Sequence, residues 1–183
     1  MNMPTDVLRD EHVLILRALD VLETATVRAG EGVELDDAWW SSLIAWLRGF
    51  ADRNHHAKEE TLLFPALERR GVPVEGGPIG VMLAEHVEGR ALIASMDASR
   101  GDARLEYARR YIALLRAHIE KENNVLFELA DAVLDAAAQQ TLRRDFDAVA
   151  AELGRVASQP DAAAEIEALA SLLGARAAPA ARR

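Results

Sequence analysis

The chain of 183 residues has no cysteine and only 5% aromatic residues. Without cysteine it cannot form a disulfide framework, a thiolate-ligated zinc or iron–sulfur site, or a cysteine nucleophile. No apolar run approaches the roughly 20 residues of a membrane span, and the first residues lack the basic and apolar stretches of a secretory signal. These absences predict a cytoplasmic protein without a membrane anchor.

Positive charge is also scarce, because 30 acidic residues face 21 basic ones and leave a net charge of −9. A chain this acidic is not expected to bind nucleic acid or an anionic membrane surface. Half of the residues are hydrophobic, which is enough at this length to bury a core.

Strong helix formers dominate the sequence, and glycine and proline cluster in a few loops. The pattern predicts an all-α fold: an up-down-up-down four-helix bundle over residues 1–134, with additional helices in a C-terminal extension and tail, residues 135–183. A kink is expected at Pro65. The extension either packs on the bundle or binds a partner, and its apolar faces favour packing. The predicted bundle helices run over about 6–28, 37–70, 79–100 and 103–134.

Each predicted bundle helix places a histidine in its apolar seam, and the second and fourth helices add a glutamate one turn later. Counting ~1.5 Å per residue from the connecting loops puts the histidines of paired helices at nearly one level. Burial without partners would cost about 1–3 kcal/mol for each such group, so they need either a closed hydrogen-bond network or bound metal ions. The six seam residues are His12, His55, Glu59, His86, His118 and Glu122.

An internal repeat supports this choice of residues. Residues 55–64 and 118–127 both read H-x-x-K-E-x-x-[LV]-L-F, which aligns their first histidines and their seam glutamates. The first and third helices share the shorter phrase Glu-His-Val, around His12 and His86. Two helices with a lone histidine and two with His-x-x-x-Glu predict a pseudo-symmetric site at the bundle centre.

Several neighbours of the seam residues have two possible roles. His56 and Glu60 fall about 100° round an α-helix from the seam, so they are expected on a flank, or else as outer or alternative ligands. Tyr111 is expected to pack in the core or to donate a hydrogen bond to a bound oxygen species. The lysines of the repeat, Lys58 and Lys121, are expected to reach solvent.

The ligand types indicate which metal such a site would hold. Histidine and glutamate at i, i+4 share a helix face, so the imidazole can bind one ion while the carboxylate reaches between two. Four imidazoles and two carboxylates are too many for one tetrahedral zinc and suit a pair of octahedral irons with an open position. A ferritin-type site is disfavoured, because its Glu-x-x-His motifs and lone glutamates reverse this pattern. Manganese, zinc and a metal-free polar network stay as alternatives.

Three motifs carry a resemblance: His55-x-x-x-Glu59-Glu60 followed by Leu63-Phe64-Pro65, then Glu85-His86, then His118-x-x-x-Glu122-Asn123-Asn124-Val125-Leu126-Phe127. Together they resemble the hemerythrin-like (HHE cation-binding) family, over residues 6–134. The resemblance implies two non-haem iron ions, with the four seam histidines as terminal ligands and the two seam glutamates as bridges beside an oxo or hydroxo group. It also implies that the centre binds or reacts with O₂, NO or peroxide.

The sequence departs from oxygen-carrying hemerythrins on the third helix. Those proteins carry two histidines at i, i+4, whereas here Arg90 follows His86 at that spacing. The missing ligand leaves more open coordination and favours redox chemistry or sensing over reversible O₂ carriage. A similarity to iron-centre repair proteins of nitrosative stress adds repair as an alternative to a redox or iron sensor. The sequence identifies neither a catalytic residue nor a redox partner, and it leaves open whether the protein is an enzyme.

Overall fold

The computed structural model describes residues 3–175, so the end of the predicted tail, residues 176–183, lies outside the described residues. The described part consists of helices and their connections, without a β-strand, which confirms the predicted all-α bundle class. None of its helices is long and apolar enough to cross a membrane. The helices are α1 (Pro4–Gly30), α2 (37–68), α3 (Pro78–Ala98), α4 (101–133), α5 (Ala136–Leu153) and α6 (Gln159–Ala175).

Short polar residues and glycines define where these helices begin and end. Asp36 caps α2 by accepting the backbone N–H of Trp39 at 2.8 Å, and Asp135 caps α5 by accepting that of Ala138 at 2.9 Å. Beyond the end of α2, Gly71 has a φ of 86°, a conformation that glycine adopts without steric cost. The connections are therefore short, and successive bundle helices run antiparallel.

Two of the bundle helices contain widened, π-helical turns. In α2 these cover Leu47–His56 and Glu59–Leu63, and in α4 they cover Glu122–Leu126. The sequence predicts an irregularity at Pro65, because proline cannot donate to the helical ladder. However, α4 widens at Glu122–Leu126, the segment equivalent to Glu59–Leu63, without any proline, so this widening does not require one. Such turns are frequent at functional sites.

The apolar core is divided into two clusters along the bundle axis. One cluster includes Leu22, Ile44 and Leu92, near the end of α1 and the start of α2. The other includes Leu8 and Leu67, at the opposite end of the same helices. The seam histidines and glutamates lie between the two clusters, so a polar layer interrupts the core at mid-height.

The C-terminal helices pack on the bundle. Leu142 of α5 is buried in one apolar cluster, and Ile166 of α6 is buried in the other. The indole N–H of Trp39 in α2 donates to the carbonyl oxygen of Leu169 in α6 at 3.1 Å. These contacts cover α1 and α2 in particular. The domain boundary after residue 134 stays a prediction.

Candidate metal centre

All six seam residues lie in the polar layer, where each is at most 1% exposed. They form two overlapping groups of possible metal ligands, and within each group one ligand atom per residue lies within 4.8 Å of the others. Glu59 belongs to both groups, so its carboxylate lies where it can bridge two ions. The first group is His56, Glu59, His86 and His118, and the second is His12, His55, Glu59 and Glu122.

His56 is the residue whose predicted position on a flank was wrong. It is 5% exposed, and its ring stacks on that of His86 with centroids 3.9 Å apart. The prediction assumed 100° per residue, but the turns that end at His56 are π-helical and carry more residues per turn. His55 and its neighbour therefore both face the centre. Glu60 stays partly exposed and contacts His86, as expected for an outer group.

Outer partners orient the imidazoles of α2 and α4. The Nδ1 of His55 lies 3.0 Å from Oε2 of Glu11, and the Nδ1 of His118 lies 2.9 Å from Oε2 of Glu85. An ionised carboxylate only accepts hydrogen bonds, so each Nδ1 is the donor and each Nε2 is directed to the centre. Metal-binding histidines are held by carboxylates or carbonyls in this way.

The lone histidines of α1 and α3 are oriented in the same way. His86 directs Nδ1 to Oε1 of Glu60 at 2.7 Å, and His12 directs Nδ1 to Oδ1 of Asn123 at 2.8 Å. As a result, the Nε2 atoms of His86 and His118 face each other at 3.1 Å. Two lone pairs at this distance repel unless a cation, either a proton or a metal ion, lies at the centre.

Unpaired polar atoms distinguish a metal site from a closed hydrogen-bond network. Among the described residues, both carboxylate oxygens of Glu59, Oε1 of Glu122 and Nε2 of His55 are buried without a hydrogen-bond partner. Oε2 of Glu122 lies 3.2 Å from Nε2 of both His12 and His118, so this ion-pair contact satisfies only part of the layer. A closed network would pair the remaining atoms as well, because leaving them unpaired is costly. Metal ions would satisfy them together.

The electrostatics of the layer also favour positive charge. Burial raises the pKa of Glu59 well above its ordinary value, and the neighbouring carboxylate of Glu122 raises it further. Burial likewise disfavours the ionised form of Glu122, but His118 and His12 more than offset this effect and hold its pKa well below the usual range. Metal-free, the layer therefore keeps one carboxylate ionised and tends to hold the other protonated.

The histidines respond to burial in two ways. Burial and the charge of His12 lower the pKa of His55 to about 3, and burial with neighbouring imidazoles lowers that of His86 to about 2. Burial also lowers the pKa of His118, but the neighbouring Glu122 and Glu85 outweigh this effect and raise the pKa above its ordinary value. His55 and His86 are therefore neutral near pH 7, in the form that binds metal.

A buried ion pair supports His55. Glu11 is 1% exposed and accepts hydrogen bonds from Asn54 at 2.9 Å, from His55 and from the ammonium of Lys58. Lys58 is also 1% exposed, so the prediction that it reaches solvent was wrong. Burial opposes ionisation of Glu11, but these donors outweigh it and lower its pKa to about 2.

These outer partners were not predicted from the sequence, although their positions in the repeated phrases distinguish them. Glu11 and Glu85 both precede a seam histidine within the repeated phrase Glu-His-Val, and each lysine of the longer repeat pairs with one of them. Each glutamate serves the histidine of a neighbouring helix rather than the one beside it in the chain. These glutamate–histidine pairs depend on how the helices pack, so the order of residues in the chain does not specify them.

Tyr111 and Arg90 lie next to the layer. Tyr111 is buried, and its hydroxyl has no hydrogen-bond partner among the described residues. Arg90 donates to Asp52 at 2.7 Å and to Glu60 at 2.7 Å, so it ties together two carboxylates beside His56 and His86.

Comparison with protein families identifies the domain. The family described as the hemerythrin HHE cation-binding domain matches residues 3–130. The chain belongs to this family. It has no significant match among curated proteins or among solved structures. Membership in a cation-binding family and a buried layer of converging imidazoles and carboxylates together indicate a hemerythrin-like metal-binding domain.

Proposed function

We propose that this hemerythrin-like protein binds two non-haem iron ions in the polar layer and uses them to bind or reduce a small oxidant: O₂, NO or peroxide. The observation that carries the proposal is the pair of overlapping ligand groups that share Glu59. Their donor atoms are buried and directed inward, and the carboxylate oxygens of Glu59 lack a hydrogen-bond partner among the described residues, as expected of a preformed metal site.

The ligand set favours iron over a single zinc. Five imidazoles and two carboxylates form two neighbouring positions, each with four protein donors if Glu59 is counted in both, whereas zinc prefers one closed tetrahedron. Mixed nitrogen and oxygen donors with open positions are typical of non-haem iron. When bound, two such ions would supply open coordination positions and electrons to a small ligand.

The residues of the chain have their own parts in this function. The imidazoles of His55 and His86 are neutral near pH 7, so they can bind a cation without first losing a proton. Glu59 and Glu122 supply negative charge between the two positions. The apolar clusters on both sides of the layer exclude bulk water, which strengthens these electrostatic interactions.

An iron count tests the proposal directly. The parent protein, loaded anaerobically with ferrous iron, is expected to retain about two ions per chain, since each group describes one position. The double variant His55→Ala/His118→Ala is expected to retain little, because it removes one imidazole from each group. The exposed neighbour variant Asn124→Ala serves as the matched control. Iron retention by the double variant equal to that of the parent would exclude the proposed site.

Absorption spectra then test the reaction. Oxygen, NO and peroxide are added to separate samples of the iron-loaded protein. A band that forms and disappears again when the gas is removed indicates binding, and a band that forms irreversibly indicates reduction of the ligand. A spectrum that stays unchanged with all three oxidants would contradict the proposal while leaving iron binding intact.

A sensor is the second candidate function, and the packing of α6 favours it. This helix rests on α1 and α2, which carry His12 and His55, and Arg17 of α1 pairs with Glu167 of α6 at 2.7 Å. A change in the polar layer can therefore reach the C-terminal helices. Protease protection of residues 135–183 is expected to change upon reduction if the protein is a sensor, and to stay constant if it is not.

A further inference from the structure

The outer partners of the seam histidines follow the internal repeat, so the centre has two equivalent halves. The His12 half consists of His12 and His55 with their partners, and the His86 half consists of His86 and His118 with theirs. In the first, His55 is held by Glu11, and in the second, His118 is held by Glu85. In each half this glutamate also pairs with a lysine. Lys58, three residues after His55, pairs with Glu11, and Lys121, three residues after His118, pairs with Glu85.

The two halves differ at one equivalent pair of positions. His86 donates to the carboxylate of Glu60 at 2.7 Å, whereas His12 donates to the amide oxygen of Asn123 at 2.8 Å. Glu60 and Asn123 each follow a seam glutamate directly and align in the repeat. The lone histidine is therefore held by an anion in one half and by a neutral group in the other.

The charges around Glu60 preserve this difference. Arg90 pairs with Glu60 and also with Asp52, so two carboxylates share one guanidinium and the cluster keeps a net charge of −1. Asn123 contributes no charge. In the remaining pairs, a glutamate faces a lysine in both halves, so their charges balance equally.

The halves also differ in the number of imidazoles. His56 belongs to the ligand group of His86 and His118, and its ring stacks on that of His86. The equivalent position of the repeat is Ile119, which has no metal-binding atom. One position therefore has three imidazoles beside Glu59, and the other has two imidazoles beside Glu59 and Glu122.

We propose that the two positions bind metal with unequal affinity, that the His86 half fills first, and that Glu60 and Asn123 set much of the difference. An imidazole that donates to a carboxylate is a stronger ligand than one that donates to an amide, and loss of such a partner typically costs about 10–100-fold in metal affinity. This inference rests on the proposed metal centre and concerns the order in which its positions fill.

Zinc is a suitable probe, because it is diamagnetic and binds the same donors. Metal-free protein is titrated with Zn²⁺ while the side-chain nitrogens of its histidines are followed by ¹H–¹⁵N NMR. The first equivalent is expected to shift His56, His86 and His118, and the second to shift His12 and His55. Shifts of the His12 half first, or of all five histidines in constant proportion, would overturn the inference alone. Absence of any zinc uptake would overturn the metal centre as well.

Two isosteric variants test the role of the paired positions. Glu60→Gln is expected to weaken the first binding step about 10–100-fold and to leave the second step unchanged. Asn123→Asp is expected to strengthen the second binding step, which reduces the difference in metal affinity between the two positions. Urea unfolding of both metal-free variants shows whether folding is intact. Equal weakening of both steps by Glu60→Gln, or no effect of Asn123→Asp, would show that these residues do not set the order.

Discussion

The two halves of the centre have the same hydrogen-bond pattern but different access to solvent. In the His12 half, the Glu11 and Lys58 side chains are 1% and 2% exposed, whereas in the His86 half, those of Glu85 and Lys121 are 17% and 41% exposed. The buried pair lies on α1 and α2, the helices on which α5 and α6 pack. Removing one partner of each pair is therefore expected to change the free energy of unfolding by unequal amounts, because one pair is buried and the other is partly exposed.

The largest expected effect comes from breaking the buried pair. Glu11→Gln leaves the ammonium of Lys58 buried without a counter-ion, which should lower the free energy of unfolding by about 3–5 kcal/mol. The matched change Glu85→Gln should cost about 1 kcal/mol or less, because Lys121 can turn to water. Urea unfolding of the metal-free proteins measures both.

The double variant Glu11→Gln/Lys58→Met controls for the hydrogen bond to His55. It is expected to recover much of the stability lost in Glu11→Gln, because no unpaired charge stays buried. Equal losses in Glu11→Gln and Glu85→Gln would show that burial does not distinguish the halves.

Acid is expected to destabilise the metal-free protein, and the histidines of the two halves should differ in their contributions. The pKa of His55 is about 3 when folded and 6.5 when unfolded, so only the unfolded chain takes up a proton as pH falls below 6.5. This linkage removes about 3 kcal/mol of stability between pH 6.5 and 4. His118 acts oppositely, because its raised pKa stabilises the fold below pH 6.5 and loses that effect as pH rises through the folded pKa.

Unfolding at a series of pH values measures this contrast. The variant His55→Asn is expected to lose less stability than the parent between pH 6.5 and 4. His118→Asn is expected to lose less stability than the parent as pH rises above 6.5, because the parent loses the contribution of His118 there. A pH dependence equal to that of the parent in either variant would contradict these pKa shifts.

The two glutamates of the layer, Glu59 and Glu122, are expected to have smaller and opposite effects on stability. Burial and Glu122 raise the pKa of Glu59, so Glu59→Gln should stabilise the metal-free protein at pH 7. Glu122→Gln should destabilise it, because Oε2 of Glu122 lies 3.2 Å from Nε2 of both His12 and His118. Both variants should lose iron. Thermal unfolding without metal and an iron count check the pair, and opposite signs of the stability change are the critical result.

The smallest expected effect concerns Gly89, whose position in the repeat is occupied by Ile15 in the His12 half. A Cβ at Gly89 would meet Cε2 of Tyr111 at 3.7 Å, an ordinary contact distance. Gly89→Ala should therefore stabilise the protein by about 0.5–1 kcal/mol through its helix propensity. A loss of stability in thermal unfolding would show that the helices need more space at this position.

Much of the centre could be predicted from the sequence because periodicity and repetition are local properties. A helix of 3.6 residues per turn assigns His12, His55, His86 and His118 to inward seams, and the structure confirms that all four are buried together. The same arithmetic failed for His56, because it assumed regular α-helix where the chain forms π-helical turns.

The outer partners required the tertiary structure. Glu11 lies beside His12 in the chain but holds His55, and Glu60 lies beside Glu59 but holds His86. Contacts between helices depend on their rotation and height in the bundle, which the repeat does not specify.

The sequence by itself determined the helical fold class, the seam residues and the repeat that relates the two halves, because these follow from local propensity and spacing. Only the tertiary structure decided which outer groups hold the histidines and how far each glutamate–lysine pair is exposed. One pair is buried in α1 and α2, on which α5 and α6 pack, and the other is partly exposed, although the sequence around the two pairs is similar. Moving a charge from water into the interior costs far more free energy than leaving it at the surface, so the two pairs are energetically unequal.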